Sequence, residues 1–178
     1  MLTISCTVTL PATYDGELGV VFVNGSGRAA GGGPRATLDR MLPLLLNGDL
    51  DGLADLYSED GVHELPFAPP GAPRRIEGRE RIRAYFASAL SGVPLDFREF
   101  RPVAIHDAAD PEVIVAEYDA HGEVTTTGRP FTVRYLWVLR ISDGEIASWR
   151  DYWDPLKVLE LQGLLPGLIS RLTEEGDA

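Results

Sequence analysis

The hydrophobic positions of this chain change period once, from helical spacing to strict alternation, and that change divides it. From Pro34, residues Leu38, Met41, Leu42, Leu45 and Leu46 recur at helical spacing until Asn47-Gly48, which predicts an amphipathic helix opened by a proline and stopped by a glycine. Asp49 is placed to N-cap a second helix that buries Leu50, Leu53, Leu56 and Tyr57. Residues 61–67 read as a strand ending in Ala68-Pro69-Pro70-Gly71-Ala72-Pro73, a run that suits neither a helix nor a central strand. Ile82, Tyr85, Phe86 and Leu90 set a third helix over 79–90, after Gly78. From Leu95 the period falls to two, through 95–105, 113–124, 131–141 and 145–154, with breaks at 107–111, 127–129 and 142–144. Four consecutive strands with short turns predict an antiparallel meander. Pro155 opens a last helix carrying Leu156, Leu159, Leu161, Leu164 and Leu165. Helices first and a curved sheet after make the chain α+β rather than alternating α/β.

Composition narrows the function classes. With 178 residues, 44% of them hydrophobic, the chain is one domain long and can bury a core. Sixteen Lys and Arg stand against 27 Asp and Glu, a net charge of −11, and the longest basic run is Pro73-Arg74-Arg75. That balance argues against nucleic acid or an anionic membrane as partner. No run approaches the roughly 20 apolar residues that span a bilayer, and residues 1–10 lack the basic start and small-residue cleavage site of a secretory signal. Cys6 is the sole cysteine, which fits a reducing cytoplasm and leaves no disulfide framework. Residues 24–33, Asn-Gly-Ser-Gly-Arg-Ala-Ala-Gly-Gly-Gly, have the composition of a flexible linker. Before it, residues 3–8 and 18–23 read as two short strands, as a loose hairpin around Asp15-Gly16, or as an extension with no settled fold, the last being favoured. The organisation expected is an extension and linker over 1–33, a domain over 34–172 and a tail over 173–178.

The densest chemistry lies in Trp149-Arg150-Asp151-Tyr152-Trp153-Asp154-Pro155. Alternation on the last strand puts Trp149, Asp151 and Trp153 on one face and Arg150 and Tyr152 on the other. Asp151 is then flanked by two indoles, and burial of that kind raises a carboxyl pKa toward neutrality, where it suits general acid or base work. The structural alternative is a rim aspartate paired with Arg150 or Arg134. His63, His106 and His121 have no metal-ligand spacing. No glycine-rich phosphate loop follows a strand and no serine sits in a nucleophile elbow. No cofactor or metal is predicted.

The order of elements, three helices with a strand before the third and then a meander closing on a Trp/Tyr-rich strand, resembles the nuclear transport factor 2-like superfamily over roughly residues 35–165. The resemblance implies a cone in which a bent, mostly antiparallel sheet wraps the helices, a short C-terminal helix follows, and the open end is an apolar pocket. Gly144-Glu145-Ile146, Trp149-Arg150-Asp151-Tyr152 and Asp154 are similar to limonene-1,2-epoxide hydrolase. Glu64-Leu65-Pro66-Phe67-Ala68-Pro69-Pro70 and Arg75-Ile76-Glu77-Gly78-Arg79 resemble small polyketide-cyclase-like (SnoaL-like) and phenazine-biosynthesis members. Asp151 matches a catalytic aspartate of the hydrolase, but Tyr118 and Ala120 stand where its Arg and second Asp would be, and Asp119 has the wrong parity. In the ketosteroid isomerase comparison the base and oxyanion positions fall at Leu65 and Trp137. The hydrolase's water-holding triad is therefore incomplete here, and one fold hosts many chemistries.

Two residues compete as partner to Asp151. His63 faces inward if Leu65 and Phe67 do, whereas the cyclase-like resemblance makes Glu64 attractive. Either one is commonly a hydrogen-bonded structural residue. Tyr118, Tyr135, Trp137, Trp149 and Trp153, with Leu65 and Phe67, are expected to line the pocket, against the plainer alternative of core packing. Arg134 and Arg150 are expected to face outward. The preferred function is a cofactor-free acid/base enzyme of the cyclase-like type, performing cyclisation, dehydration, isomerisation or epoxide opening on an apolar small molecule. The alternative is a binding module that holds such a ligand without chemistry. The sheet face carrying Arg134, Leu136, Val138, Arg140 and Tyr152 is apolar enough to predict a homodimer.

Overall fold

The computed structural model describes residues 33–90 and 92–176. Residues 1–32 of the extension and linker expected over 1–33, Cys6 among them, lie outside the described residues. Helix α1, Pro34–Asn47, buries Thr37, Leu38 and Met41, and stops at Gly48 in a left-handed conformation whose N–H returns to the carbonyls of Leu44 and Leu45. Helix α2, Leu50–Asp55, is N-capped by Asp49, whose carboxylate accepts from the Gly52 N–H. It is shorter than its apolar spacing predicts: the chain is already extended at Tyr57, which opens strand β1, Tyr57–Glu64. The three-residue strand β2, Arg75–Glu77, then leads into α3, Arg79–Ala89, which buries Ile82 and Phe86. Burying two such side chains contributes about 2 kcal/mol each.

The meander follows as β3, Leu95–Asp107; β4, Val113–Val124; β5, Arg129–Ser142; and β6, Glu145–Trp153. The sheet runs β2-β1-β6-β5-β4-β3, every neighbouring pair antiparallel except β1 with β6. Asp143 and Gly144 both have positive φ, so β5 and β6 are joined by a two-residue turn of the type that matches strand twist. Thr37 Oγ1 and Arg40 Nη2 both donate to the Gly144 carbonyl, fastening α1 to that turn. A register shift between Arg140 and Ile141 leaves Ala147 unpaired, so Ile146 and Trp149 both turn inward despite their odd spacing.

One core cluster joins α1, α2 and α3 to the sheet through Leu38, Met41, Leu53, Tyr57, Ile82, Phe86, Ile114, Tyr118, Trp137, Leu139, Ile146 and Trp149. A second, smaller cluster holds Val124, Phe131, Val133 and Leu161. Tyr135 packs against both. The single C-terminal helix expected from sequence is two: α4, Pro155–Leu161, and α5, Leu165–Gly176, separated at Gly163 with φ +72°. The second runs past the expected domain end at 172, and Leu156 and Leu164 are exposed rather than packed.

Candidate functional site

Alternation along β6 carries Trp149, Asp151 and Trp153 to the inner face, and register brings Trp137 opposite Asp151 and Tyr135 opposite Trp153. The indole Nε1–H of Trp137 donates to Asp151 Oδ1 at 2.9 Å. Burial pushes the Asp151 carboxyl up to about 7, and the Trp137 hydrogen bond works against that rise. Neither arginine of the structural alternative reaches it. Arg134 grips Asp119 with Nε to Oδ1 at 2.7 Å and Nη2 to Oδ2 at 2.9 Å, and Arg150 pairs with Glu64.

His63 and Glu64 are separated by the sheet. His63 is 2% exposed and Glu64 lies on the opposite face, in ion pairs with Arg75 and Arg150. Glu64 as an acid/base partner facing the interior is thereby corrected: strand parity allows one of the two inside, and His63 has that place. Burial lowers the His63 pKa to about 3, so the ring is neutral near pH 7. Its Nδ1 shares a 2.8 Å hydrogen bond with the Tyr57 hydroxyl, and its ring meets Trp149 edge to face at 5.0 Å. Phe67 is also corrected. It is 61% exposed and packs edge-on against Tyr152 at 5.5 Å. The chain leaves the strand after Glu64 and turns, with the Ala68 N–H bonded to the Leu65 carbonyl, so period-2 parity does not extend to Phe67. Leu65 is buried.

Tyr118, Trp137 and Trp149 are sealed, and Trp137 contacts Tyr118, Tyr135, Phe100 and Trp149 at centroid distances of 5.0–6.0 Å. The Tyr118 hydroxyl feels Asp39 and Arg35 of α1, away from Asp151. The tyrosines that feel the Asp151 charge are Tyr57, Tyr85 and Tyr135. Two of these were missed in sequence, because Tyr57 and Tyr85 satisfy the apolar face of a helix and pass for core. A hydroxyl on a buried face, which needs a polar partner, was the available signal.

Solvent access changes sharply at Asp151. Tyr57, His63, Trp137 and Trp149 are buried, whereas Asp151, Tyr85, Tyr135 and Trp153 each keep some accessible surface. Asp151 is thus half-buried at the edge of the core, and burial still pushes its carboxyl up to about 7. Beneath it, the Trp149 Nε1–H is buried with no acceptor among the described residues. Two surface depressions, of about 350 Å³ around Glu59, Glu77 and Arg81 and about 500 Å³ beside α5, lie away from this chemistry.

The comparisons agree with this architecture. A family model for the SnoaL-like domain matches residues 38–149. An uncharacterised PhzA/B-like protein of Pseudomonas aeruginosa is 39% identical over 122 residues, covering 68% of this chain and 84% of that protein. The crystal structure of a Bacillus subtilis protein, for which an isomerase activity has been suggested, superposes with a TM-score of 0.66 at 34% identity, over 73% of this chain and 92% of that one. An epoxide hydrolase of M. tuberculosis, similar to limonene epoxide hydrolases, shares the fold at 24% identity and a TM-score of 0.50, over 78% of this chain and 94% of its own. On its family match and its α+β cone, the chain belongs to the SnoaL-like family of the nuclear transport factor 2-like fold.

Proposed function

We propose that this protein is a cofactor-free enzyme that moves protons on an uncharged, largely apolar small molecule, with Asp151 as the general acid and base. What supports it most is an inward-facing carboxyl bonded to one indole N–H among aromatic side chains, where burial pushes its pKa up to about 7. A group so poised takes a proton from an acidic C–H or hydroxyl and returns it elsewhere without a large penalty in either direction. Tyr85 and Tyr135, whose hydroxyls lie within the field of Asp151, donate to oxygen as charge develops there. Trp153 and Tyr135 shape the entrance, and Trp137 and Trp149 the floor. His63 is neutral near pH 7 and bonded to Tyr57, so its role is to hold Tyr57 in place rather than to supply the second proton. Cyclisation, dehydration, isomerisation and epoxide opening all fit a single carboxyl of this kind. The reading also has the protein acting in the cytoplasm as a homodimer joined through the outer face of the sheet.

Hydrogen exchange into a panel of apolar enolisable ketones in D2O, followed by mass spectrometry, tests the assignment without the natural substrate. Wild-type protein is expected to catalyse exchange, and Asp151→Asn to lose roughly 10²- to 10⁴-fold of the rate. Undiminished exchange by Asp151→Asn would remove Asp151 from the mechanism, and binding without any exchange would favour a ligand-holding module.

A further inference from the structure

The inner face of the sheet carries two apolar patches, and the helices hold to them by different means. Over the first, α1 and α3 are tied down by polar contacts as well as packing: Thr37 and Arg40 donate to the Gly144 carbonyl, and Arg79 bonds the Tyr57 carbonyl and Glu145. Over the second, Val124, Phe131 and Val133 lie against Val158 and Leu161 of α4. Among the described residues, the ion pair that joins α4 to the sheet is Arg129 with Glu160, at 3.4 Å and exposed on both sides. Helix α4 has seven residues, about half the length at which an isolated helix becomes marginally stable in water. It starts at the Asp154 cap, and beyond its other end the chain breaks at Gly163, with φ +72° and open space where a Cβ would be. Leu156 and Leu164, at either end, stay in water. The patch beneath α4 is continuous with the surroundings of Asp151. Phe131 meets Phe97 at 5.4 Å between ring centroids, Phe97 stacks on Phe100 at 5.7 Å, and Phe100 contacts Trp137 at 5.7 Å. Trp137 is the donor to Asp151, and Tyr135 packs against both clusters.

We propose that α4 is a hinged cover, and that the surface beneath it, formed by Phe97, Val124, Phe131, Val133 and Tyr135, is a binding patch for the apolar body of the ligand, which takes the place of Val158 and Leu161. The inference rests on reading Asp151 as the reacting group, because the path of rings then leads from the patch to the carboxyl. With α4 in place, the protein's own side chains fill the patch, so that no large apolar surface faces water before the ligand arrives. A ligand that displaces α4 exchanges one apolar partner for another and leaves the tied-down helices where they are. Its apparent affinity is that of the open patch reduced by the fraction of molecules in which α4 stands away. The cover therefore also selects by size, since a molecule too small to replace both Val158 and Leu161 leaves it closed.

The probe is N-phenyl-1-naphthylamine, an uncharged aromatic amine whose fluorescence rises in apolar surroundings. Peptide-resolved amide hydrogen exchange on the whole wild-type chain reads the cover directly. Amides of α4 are expected to exchange more than about tenfold faster than those of α3, and faster still at saturating probe, because a displaced helix of this length does not keep its own hydrogen bonds. Leu161→Ser loosens the cover without touching the sheet, and should tighten probe binding by more than about threefold. Val133→Asn puts an unpaired amide into the patch and should weaken binding by more than about tenfold, whereas a probe lodged in the depression beside α5 would ignore it. The proposal is overturned if α4 amides are as protected as those of α3, if the probe fails to bind or does not speed α4 exchange, if Leu161→Ser binds no tighter, or if Val133→Asn binds as well as wild type. The exchange measurements need no variant. Because N-phenyl-1-naphthylamine offers no carbon acid, the cover can fail while proton exchange by Asp151 stands, and proton exchange can fail while the cover stands.

Discussion

Asp151 is half-buried and His63 buried on the inner face, and loss of water drives their pKa values in opposite directions, to about 7 from 3.8 and to about 3 from 6.5. Their effects on stability oppose each other. The raised carboxyl takes up a proton on folding, so its contribution is fully present below about pH 4 and is lost as pH rises through 7. The depressed imidazole sheds a proton on folding, so its contribution is present above about 6.5 and is lost as pH falls through 3. Each slope is about 1.4 kcal/mol per pH unit where one proton separates the two states, and between pH 4 and 6.5 they cancel. Urea unfolding of Asp151→Asn should therefore show stability climbing with pH across that window, and His63→Gln should show it falling. A profile for Asp151→Asn that matches the wild type would mean that this carboxyl ionises as it does in water. The Trp137 N–H adds a kinetic test. Trp137→Phe removes the one influence that lowers the Asp151 pKa, so the limb of the pH–rate profile assigned to Asp151 should move above 7. A limb left in place would assign it to another group.

At the level of elements, the path of the sheet depends on positions where a side chain is absent. A Cβ on Gly122 of β4 would collide with the Asp96 carbonyl oxygen of β3 and lie 2.6 Å from the Phe131 ring of β5. Because one obstacle is backbone, Gly122→Ala forces the strands apart and should cost about 2 kcal/mol or more. Gly167 of α5 is the opposite case, since a Cβ there meets nothing within 4 Å. Gly167→Ala should stabilise by roughly 0.5–1 kcal/mol, and urea midpoints that fail to move in opposite directions would contradict this account of the bend. The long strands β4 and β5 were legible to within two residues because alternation persists over 12 to 14 positions, and β6 because alternation holds from Trp149 to Trp153, beyond its bulge. Strand β2 was not, since its three residues carry no period and are ordered by pairing with β1. Tyr57 was read as helix because four-residue spacing from Leu53 satisfies that pattern, whereas the chain is already extended there.

For the whole molecule, the family match begins at residue 38 and the described core starts at α1. A chain beginning at Pro34 is accordingly expected to keep a cooperative melt, and a loss of more than about 2 kcal/mol, large for any local change, would show that residues 1–33 contribute to the domain. The outer sheet face bears on assembly. It combines Leu136, Val138, Tyr152 and the exposed Phe67 with arginines already paired to Asp119, Asp110, Glu112 and Glu64, an apolar strip flanked by neutralised charge. Sedimentation at micromolar concentration should give twice the 19.4 kDa chain mass, and a single 19.4 kDa species would count against the dimer. Among the described residues no helix is long and apolar enough to cross a membrane.

Local periodicity and turn chemistry were enough to set the α+β order, the meander, the inward parity of Trp149, Asp151 and Trp153, and the outward parity of Asp119. They did not decide between His63 and Glu64, since parity says that two neighbours face opposite ways and not which way is in. Pairing of β1 with β6 settled that choice, by setting His63 beside Trp149 and Glu64 beside Arg150. Nor did periodicity reveal that Tyr57 and Tyr85 share the field of Asp151 while the Tyr118 hydroxyl looks toward α1. Those relations join residues from 66 to 94 positions apart in the chain, and they exist only where packing of α1 and α3 and closure of the sheet bring separate elements together.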